Sequence, residues 1–188
     1  VAAACATLAV TVPARAQQEL KFGHVGEPGS LFEATANEFA KRAKDIAAMA
    51  KDVTEFLDGH DFGAPKRWSS LKVAYHSACS LQHGQHIVDQ PKSLLKQMGF
   101  VVRDVPESHI CCGSAGTYNI LQPEIADRLR SRKVANIEQT KPQIIASGNL
   151  GCMTQIGAGT TIPIVHTVEL LDWATGGPLP NAMEAHFN

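Results

Sequence analysis

The sequence predicts an α/β fold, with a mainly parallel sheet of about four strands and flanking helices. Short β-rich runs recur at 71–76, 100–105, 143–147 and 163–166. Stretches that read as helical lie between and after them, the alternation that builds parallel sheets. A cysteine-bearing loop follows each of the first three runs. The length of 188 residues suits one packed core with a tail.

In chain order, residues 1–16, VAAACATLAVTVPARA, are small and apolar and end in Ala14-Arg15-Ala16, the spacing of a signal-peptidase site. The run is too short to span a membrane. It reads as the tail of a signal peptide, and Cys5 within it is given no functional role. Residues 17–43 read as a strand at Leu20 to His24, a Gly/Pro loop, and a helix from about Ser30 with Glu33 completing a capping box. In residues 44–69, Ile46, Met49, Ala50, Val53, Phe56 and Leu57 recur at helical spacing. That predicts an amphipathic helix ending near Gly59, then a turn-rich connector from Asp61 to Arg67.

The main unit is placed at 70–188. LKVAYH is its first strand, and Pro91 to Gln97 a short helix opened by proline. FVVRDV is the second strand, CCGSAGTY its loop, and Glu124 to Ile137 a long helix with Ile125, Leu129, Arg132 and Ala135 or Ile137 near one face. QIIAS is the third strand and SGNLGCMTQ the third loop. PIVH, the fourth strand, runs into a helix over 167–173.

Composition narrows the function. With 17 basic and 18 acidic residues there is no basic excess to attract nucleic acid, and no nucleic-acid partner is expected. An apolar share of 44% fits neither a disordered chain nor a membrane-embedded one. Five cysteines, two of them adjacent, do not make a paired disulfide framework. In a parallel sheet the loops after the strands gather at one edge, so Cys79, Cys111, Cys112 and Cys152 are expected to converge there. Gly113 and Gly151 stand where backbone turns tightly or approaches a bulky group, with amides available to sulfur.

Any one of these cysteines could be a small buried hydrophobe. All four so placed point to metal or redox chemistry: an iron-sulfur cluster, a zinc ion or a redox disulfide. Two successive thiolates strain a single tetrahedral zinc, whereas a cluster offers separate metal atoms, so zinc is the alternative metal. His76, His83, His86, His109 and His166 lie at strand ends or in the cysteine loops. His109, two residues before the cysteine pair, is the expected hydrogen-bond donor behind the ligands, with His83 and His76 as further candidates. Arg128, Arg130, Arg132 and Lys133 read as the solvated face of their helix or a docking surface.

These segments resemble a known family. VAYHSACSLQHGQ, ESHICCGSAGTYNILQPEIA, SGNLGCMTQI and PIVHTVELLDWATGGP are similar to the cysteine-rich CCG domain, above all to the second such domain of glycolate oxidase iron-sulfur subunits, over residues 70 to 180. The resemblance implies a cluster of 4Fe-4S type on Cys79, Cys111, Cys112 and Cys152, and electron transfer without catalysis of its own. It implies as partners a flavin-containing glycolate oxidase subunit and other iron-sulfur or membrane electron acceptors. It also implies a cytoplasmic location, at the inner face of the membrane, with which the export-like residues 1–16 conflict.

Two departures stand out. Related domains end in C-x-x-C where this chain has Gln155, and the ferredoxin-type cysteine runs and first CCG domain of such subunits are not among these 188 residues. Residues up to Arg42 resemble the mature N-terminus of substrate-binding proteins of tripartite ATP-independent periplasmic transporters. The alternatives are therefore an exported solute-binding protein fragment or a zinc-binding structural domain. The chain reads as about 40 residues of one protein's beginning joined to about 140 of another's end.

Overall fold

The computed structural model describes residues 27–67 and 70–187. The signal-like segment, Cys5 and the strand expected at Leu20 to His24 lie outside these residues. The chain divides into two compact units, Val1–Ala47 and Ala48–Asn188.

Helix α1 (Leu31–Met49) starts where the capping residues place it: the Ser30 hydroxyl accepts the Glu33 amide at 3.3 Å, and the Glu33 carboxylate accepts the Gly29 amide. α1 continues through residues 43 and 44, where the sequence suggests a change of element. The break comes instead at Asp52, whose carboxylate accepts the Thr54 amide at 2.8 Å and opens the short helix α2 (Val53–Leu57). A short acidic side chain that bonds the backbone at a helix start competes with helix continuation, which explains the interruption.

The second unit is an α/β fold. Strands β1 (Lys72–His76), β2 (Val101–Asp104), β3 (Ile144–Ser147) and β4 (Ile164–His166) pair in parallel in the order β2-β1-β3-β4. His76 is in register with Ser147 and Ser147 with His166, so the carboxyl ends of three strands are level. Strand order departs from β1 in both directions. The gap between β1 and β3 is therefore the switch point at which open α/β sheets build their sites.

Alternation along the strands feeds two apolar layers. Val73, Tyr75, Ile144 and Ala146 pack with Leu94 and Leu95 of α3 (Gln90–Gln97) and with residues of two helices described below. Ala74 and Ile145 face the opposite layer, with Val134, Ile137 and Ile156. β1 and β3 are covered on both faces, which is why they read as continuous rather than alternating apolar runs. Ile145 is fully buried, and Ile145→Ala is expected to destabilise the unit by about 2–5 kcal/mol. A urea midpoint unchanged by the substitution would contradict this packing.

The remaining helices are α4 (Tyr118–Leu121), α5 (Pro123–Gln139), α6 (Leu150–Gly157), α7 (Thr167–Thr175) and α8 (Asn181–Phe187). Leu170, Leu171 and Trp173 of α7 and Met183 of α8 complete the first layer, while α5 and α6 supply the second. Two elements differ from the sequence reading. The third cysteine loop is largely helix α6, because Asn149 caps it by accepting the Cys152 amide at 3.0 Å. On α5 the buried face is Ala126, Lys133, Val134, Asn136 and Ile137, not the stripe through Ile125, Arg132 and Ala135. A cavity of about 190 Å³ lined by Leu57, Phe62, Met98, Val168 and Leu171 opens beside the first apolar layer. Among the described residues no helix is long and apolar enough to cross a membrane.

Candidate metal centre

Four thiols meet at the carboxyl edge of the sheet. Cys79 stands at the head of a π-helical turn, Ser80–Gln85, that follows β1. Cys111 and Cys112 lie in the loop between β2 and α4, and Cys152 in the first turn of α6 after β3. All four are free cysteines, with Cys112 and Cys152 buried and the other two half-buried.

The thiols associate as two pairs. Cys79 hydrogen-bonds with Cys111, and burial first, then that neighbour, raise the Cys79 pKa. Cys112 hydrogen-bonds with Cys152, which shifts the two in opposite directions. The Cys152 thiol donates to Cys112 and, with lesser help from the His76 ring and the Ser114 amide, holds the Cys112 pKa down to about 4 against burial. The same hydrogen bond, reinforced by burial, pushes Cys152 strongly upward. The arrangement favours the thiolate at Cys112, the form that binds metal. The two adjacent residues send their sulfurs to different partners, which suits separate metal atoms better than one ion.

The backbone around the pair is tightly built. Gly113 has φ +94°, and a Cβ there would overlap the Ala126 carbonyl oxygen of α5. Its amide donates to Cys111 Sγ at 3.3 Å. At Gly151 a Cβ would lie 2.9 Å from the Ser114 hydroxyl. Both glycines therefore allow the loop and the two helices to close around the thiols.

His76 is the histidine that reaches this cluster. Its ring is 1% exposed, and one of its nitrogens, Cys112 Sγ and Cys152 Sγ all lie within 4.8 Å of one another. Among the described residues neither ring nitrogen meets an oxygen or nitrogen partner, and the buried hydroxyls of Ser147 at the end of β3 and Thr167 at the start of α7 have no partner either. Buried polar groups left without partners are costly and uncommon. His83 and His109 are placed differently: both are exposed, and His83 Nε2 donates to the His109 carbonyl at 3.2 Å. His86 ends the π-helical turn in the left-handed conformation, and His166 caps α7 in a capping box with Glu169.

Gln155, three residues after Cys152, is buried with both ends of its amide engaged. It accepts from Asn119 Nδ2 at 3.1 Å and donates to the Ala126 carbonyl at 3.4 Å. In this way it ties α6 to the start of α5.

The cation the sequence reading assigns to solvent is inside. Lys133 is 1% exposed, and its Nζ donates to the carbonyls of Glu107 at 2.9 Å and Ser108 at 3.4 Å. Burial lowers its pKa, while the charges of Cys112, Cys79 and Cys111 oppose that fall. A buried ammonium that interacts with three of the four cysteines, Cys79, Cys111 and Cys112, offsets negative charge on them. Arg132 is likewise engaged: its guanidinium and the Asn136 amide bind the Glu107 carboxylate, which anchors the segment leading to Cys111. The sequence signal for Lys133 is its position, seven residues after Ala126 and four before Ile137 on the buried stripe of α5.

Glu107 gives this anchor a pH signature. The hydrogen bond from Arg132, then that from Asn136, lowers its pKa from 4.5 to about 2. A carboxylate depressed in the folded state adds stability that is complete above the unfolded value and is lost as pH falls through the folded one. The Glu107 contribution is therefore present above pH 4.5 and disappears between there and pH 2. In urea titrations across that window, Glu107→Gln is expected to flatten this part of the acid slope. A slope identical to wild type would contradict the role.

Soft thiolates, a buried imidazole, glycine-tightened loops and a compensating cation form a donor set suited to an iron-sulfur group. The comparisons agree. A family model described as the CCG cysteine-rich domain matches residues 73–157. The glycolate oxidase iron-sulfur subunit of Escherichia coli is 34% identical over 136 residues, covering 72% of this chain and 33% of that protein. Lactate utilization protein A of Shouchella clausii is 29% identical over 145 residues, covering 72% of this chain and 59% of that protein. The same protein of Anoxybacillus flavithermus is 29% identical, covering 72% and 60%. The chain thus spans between a third and three fifths of the length of these relatives. The cysteine-bearing segment belongs to the CCG cysteine-rich domain family, and the chain that contains it is homologous to glycolate oxidase iron-sulfur subunits and to lactate utilization protein A.

Proposed function

We propose that this chain is the cysteine-rich part of an iron-sulfur electron-transfer subunit in 2-hydroxy-acid oxidation, of glycolate oxidase type. The observation that carries the reading is the gathering of Cys79, Cys111, Cys112 and Cys152 as two thiol pairs at the switch point of a parallel sheet. The names of the relatives, a glycolate oxidase subunit and a lactate utilization protein, support 2-hydroxy acids as the substrate class. When bound, a cluster supplies one-electron redox chemistry. The protein supplies the thiolates, the charge of Lys133 and loops that shield the sulfurs.

On this reading the cluster is of 4Fe-4S type and assembles in the cytoplasm. The electron donor is a flavin-containing oxidase subunit, and the acceptors are further iron-sulfur or membrane carriers. Substrate oxidation belongs to that flavin subunit. Anaerobic reconstitution of the chain with iron and sulfide is expected to give a brown protein whose visible bands bleach on reduction. A colourless product holding one zinc would overturn the reading.

A further inference from the structure

We propose that His76 is a direct metal ligand, which with Cys112 and Cys152 forms a preformed face of two sulfurs and one imidazole nitrogen. The inference deepens the iron-sulfur reading and depends on it only for the identity of the metal group.

Three observations carry it. First, the three donor atoms lie within 4.8 Å of one another, and all three residues are buried. They come from three separate places in the chain: the end of β1, the loop after β2 and the first turn of α6. Second, among the described residues neither nitrogen of a ring 1% exposed meets an oxygen or nitrogen partner, and the ring instead lies against the Cys112 sulfur. An imidazole removed from water normally satisfies at least one nitrogen, and a metal would satisfy this one. A metal-bound imidazole usually gives its second nitrogen to an orienting oxygen. Ser147, the register partner of His76, holds such an oxygen, also buried and unpartnered. Third, Gln155, three residues after Cys152, is not free to act as a ligand, because both ends of its amide are committed to Asn119 and Ala126.

The donor set selects borderline-to-soft transition metals, iron among them, over hard cations. Its consequence for a cluster follows from charge. A neutral imidazole in place of a thiolate leaves the oxidised site less negative, which raises the reduction potential, as histidine ligation does in other iron-sulfur centres.

The test uses the full chain and begins with Co²⁺ alone, added anaerobically to reduced protein. Wild type is expected to bind it with thiolate-to-cobalt charge-transfer bands. His76→Phe fills the same space without a donor. It is expected to bind at least about 10-fold more weakly, since even an outer partner of a metal ligand is worth that much. His76→Cys restores a ligand and is expected to retain binding. After iron and sulfide reconstitution, His76→Cys is expected to hold wild-type iron at a more negative midpoint potential, and His76→Phe to lose iron.

The assignment is overturned if wild type fails to bind Co²⁺, if His76→Phe matches wild type in Co²⁺ affinity, or if folded His76→Cys loses metal as His76→Phe does. A measurement on wild type alone guards against variants that do not fold. Spin-active Cd²⁺ titrated into chain with nitrogen-labelled histidine should couple to one imidazole, and absence of coupling overturns the assignment. If Co²⁺ binding depends on His76 but no iron and sulfide are taken up, the ligand assignment stands and the iron-sulfur reading fails.

Discussion

Replacing Cys112 by serine is expected to remove iron and sulfide from the reconstituted chain while leaving the fold in place. Cys112 holds the central position among the thiols. It takes the Cys152 hydrogen bond and lies beside His76, and those neighbours and the Ser114 amide lower its pKa. Metal binding to a thiol requires loss of its proton, so the residue whose ionisation its neighbours favour contributes most to affinity. Serine nearly preserves the volume at this 1% exposed position but offers a hydroxyl that stays protonated at neutral pH. The loss of a direct ligand should weaken metal retention by more than about 100-fold, beyond the effect of removing an outer partner. The measurements are iron and sulfide per chain and retention against a chelator, with far-UV circular dichroism and the urea midpoint as controls. A Cys112→Ser chain that keeps wild-type colour and iron content would remove this residue from the ligand set.

Gly113→Ala is expected to be the most destabilising single change in the cysteine loops. Its φ of +94° lies in a region that side chains rarely adopt, and the added Cβ would meet the backbone oxygen of Ala126, which cannot rotate away. Backbone strain of about 1–3 kcal/mol and overpacking of about 1–3 kcal/mol together give roughly 3 kcal/mol or more. In a chain of this size that lowers the melting temperature by roughly 6–12 °C. Gly116→Ala isolates the strain: φ there is +67° with no atom within 4 Å of the added carbon, and about 1 kcal/mol is expected. Equal losses at the two positions would mean that contact with α5 is not what requires Gly113. Because Gly113 and Ser114 both donate through their amides to the cysteine pair, Gly113→Ala should also reduce iron retention.

Much of the fold is legible in local patterns. The four β-rich runs become β1 to β4 with ends shifted by about one residue, and proline marks the starts of α3 and α5. The role of an asparagine depends more on its surroundings. Asn149 looks like part of a loop in SGNLGCMTQ, yet it caps α6, because capping depends on whether the following residues have a core to pack against. Ile156 is that packing residue, fully buried among Val134, Ile137 and Ile145. The rotated face of α5 has a similar origin. Ile125 is 47% exposed while Lys133 is buried, since Lys133 finds two carbonyl acceptors and nearby thiolate charge. Hydrophobicity alone ranks those two residues the other way.

The histidines show the same division. His109 is nearest the cysteine pair in sequence, but the turn through Glu107, with φ +51°, leaves it exposed. His76 is 35 residues before Cys111, and parallel pairing of β1 with β2 and β3 brings it to the cluster.

By itself the sequence determined what depends on neighbours along the chain: the βα alternation, the parallel sheet it requires, and the placing of a cysteine loop after each of three strands. The tertiary structure decided what depends on contacts across the sheet. It set the strand order that opens a switch point between β1 and β3, the thiol that each cysteine meets, the approach of His76 and the burial of Lys133. Local patterns set backbone conformation through sterics and hydrogen bonding within a few residues. Which side chains share a site is settled only when distant segments pack, and no spacing in the chain encodes those distances.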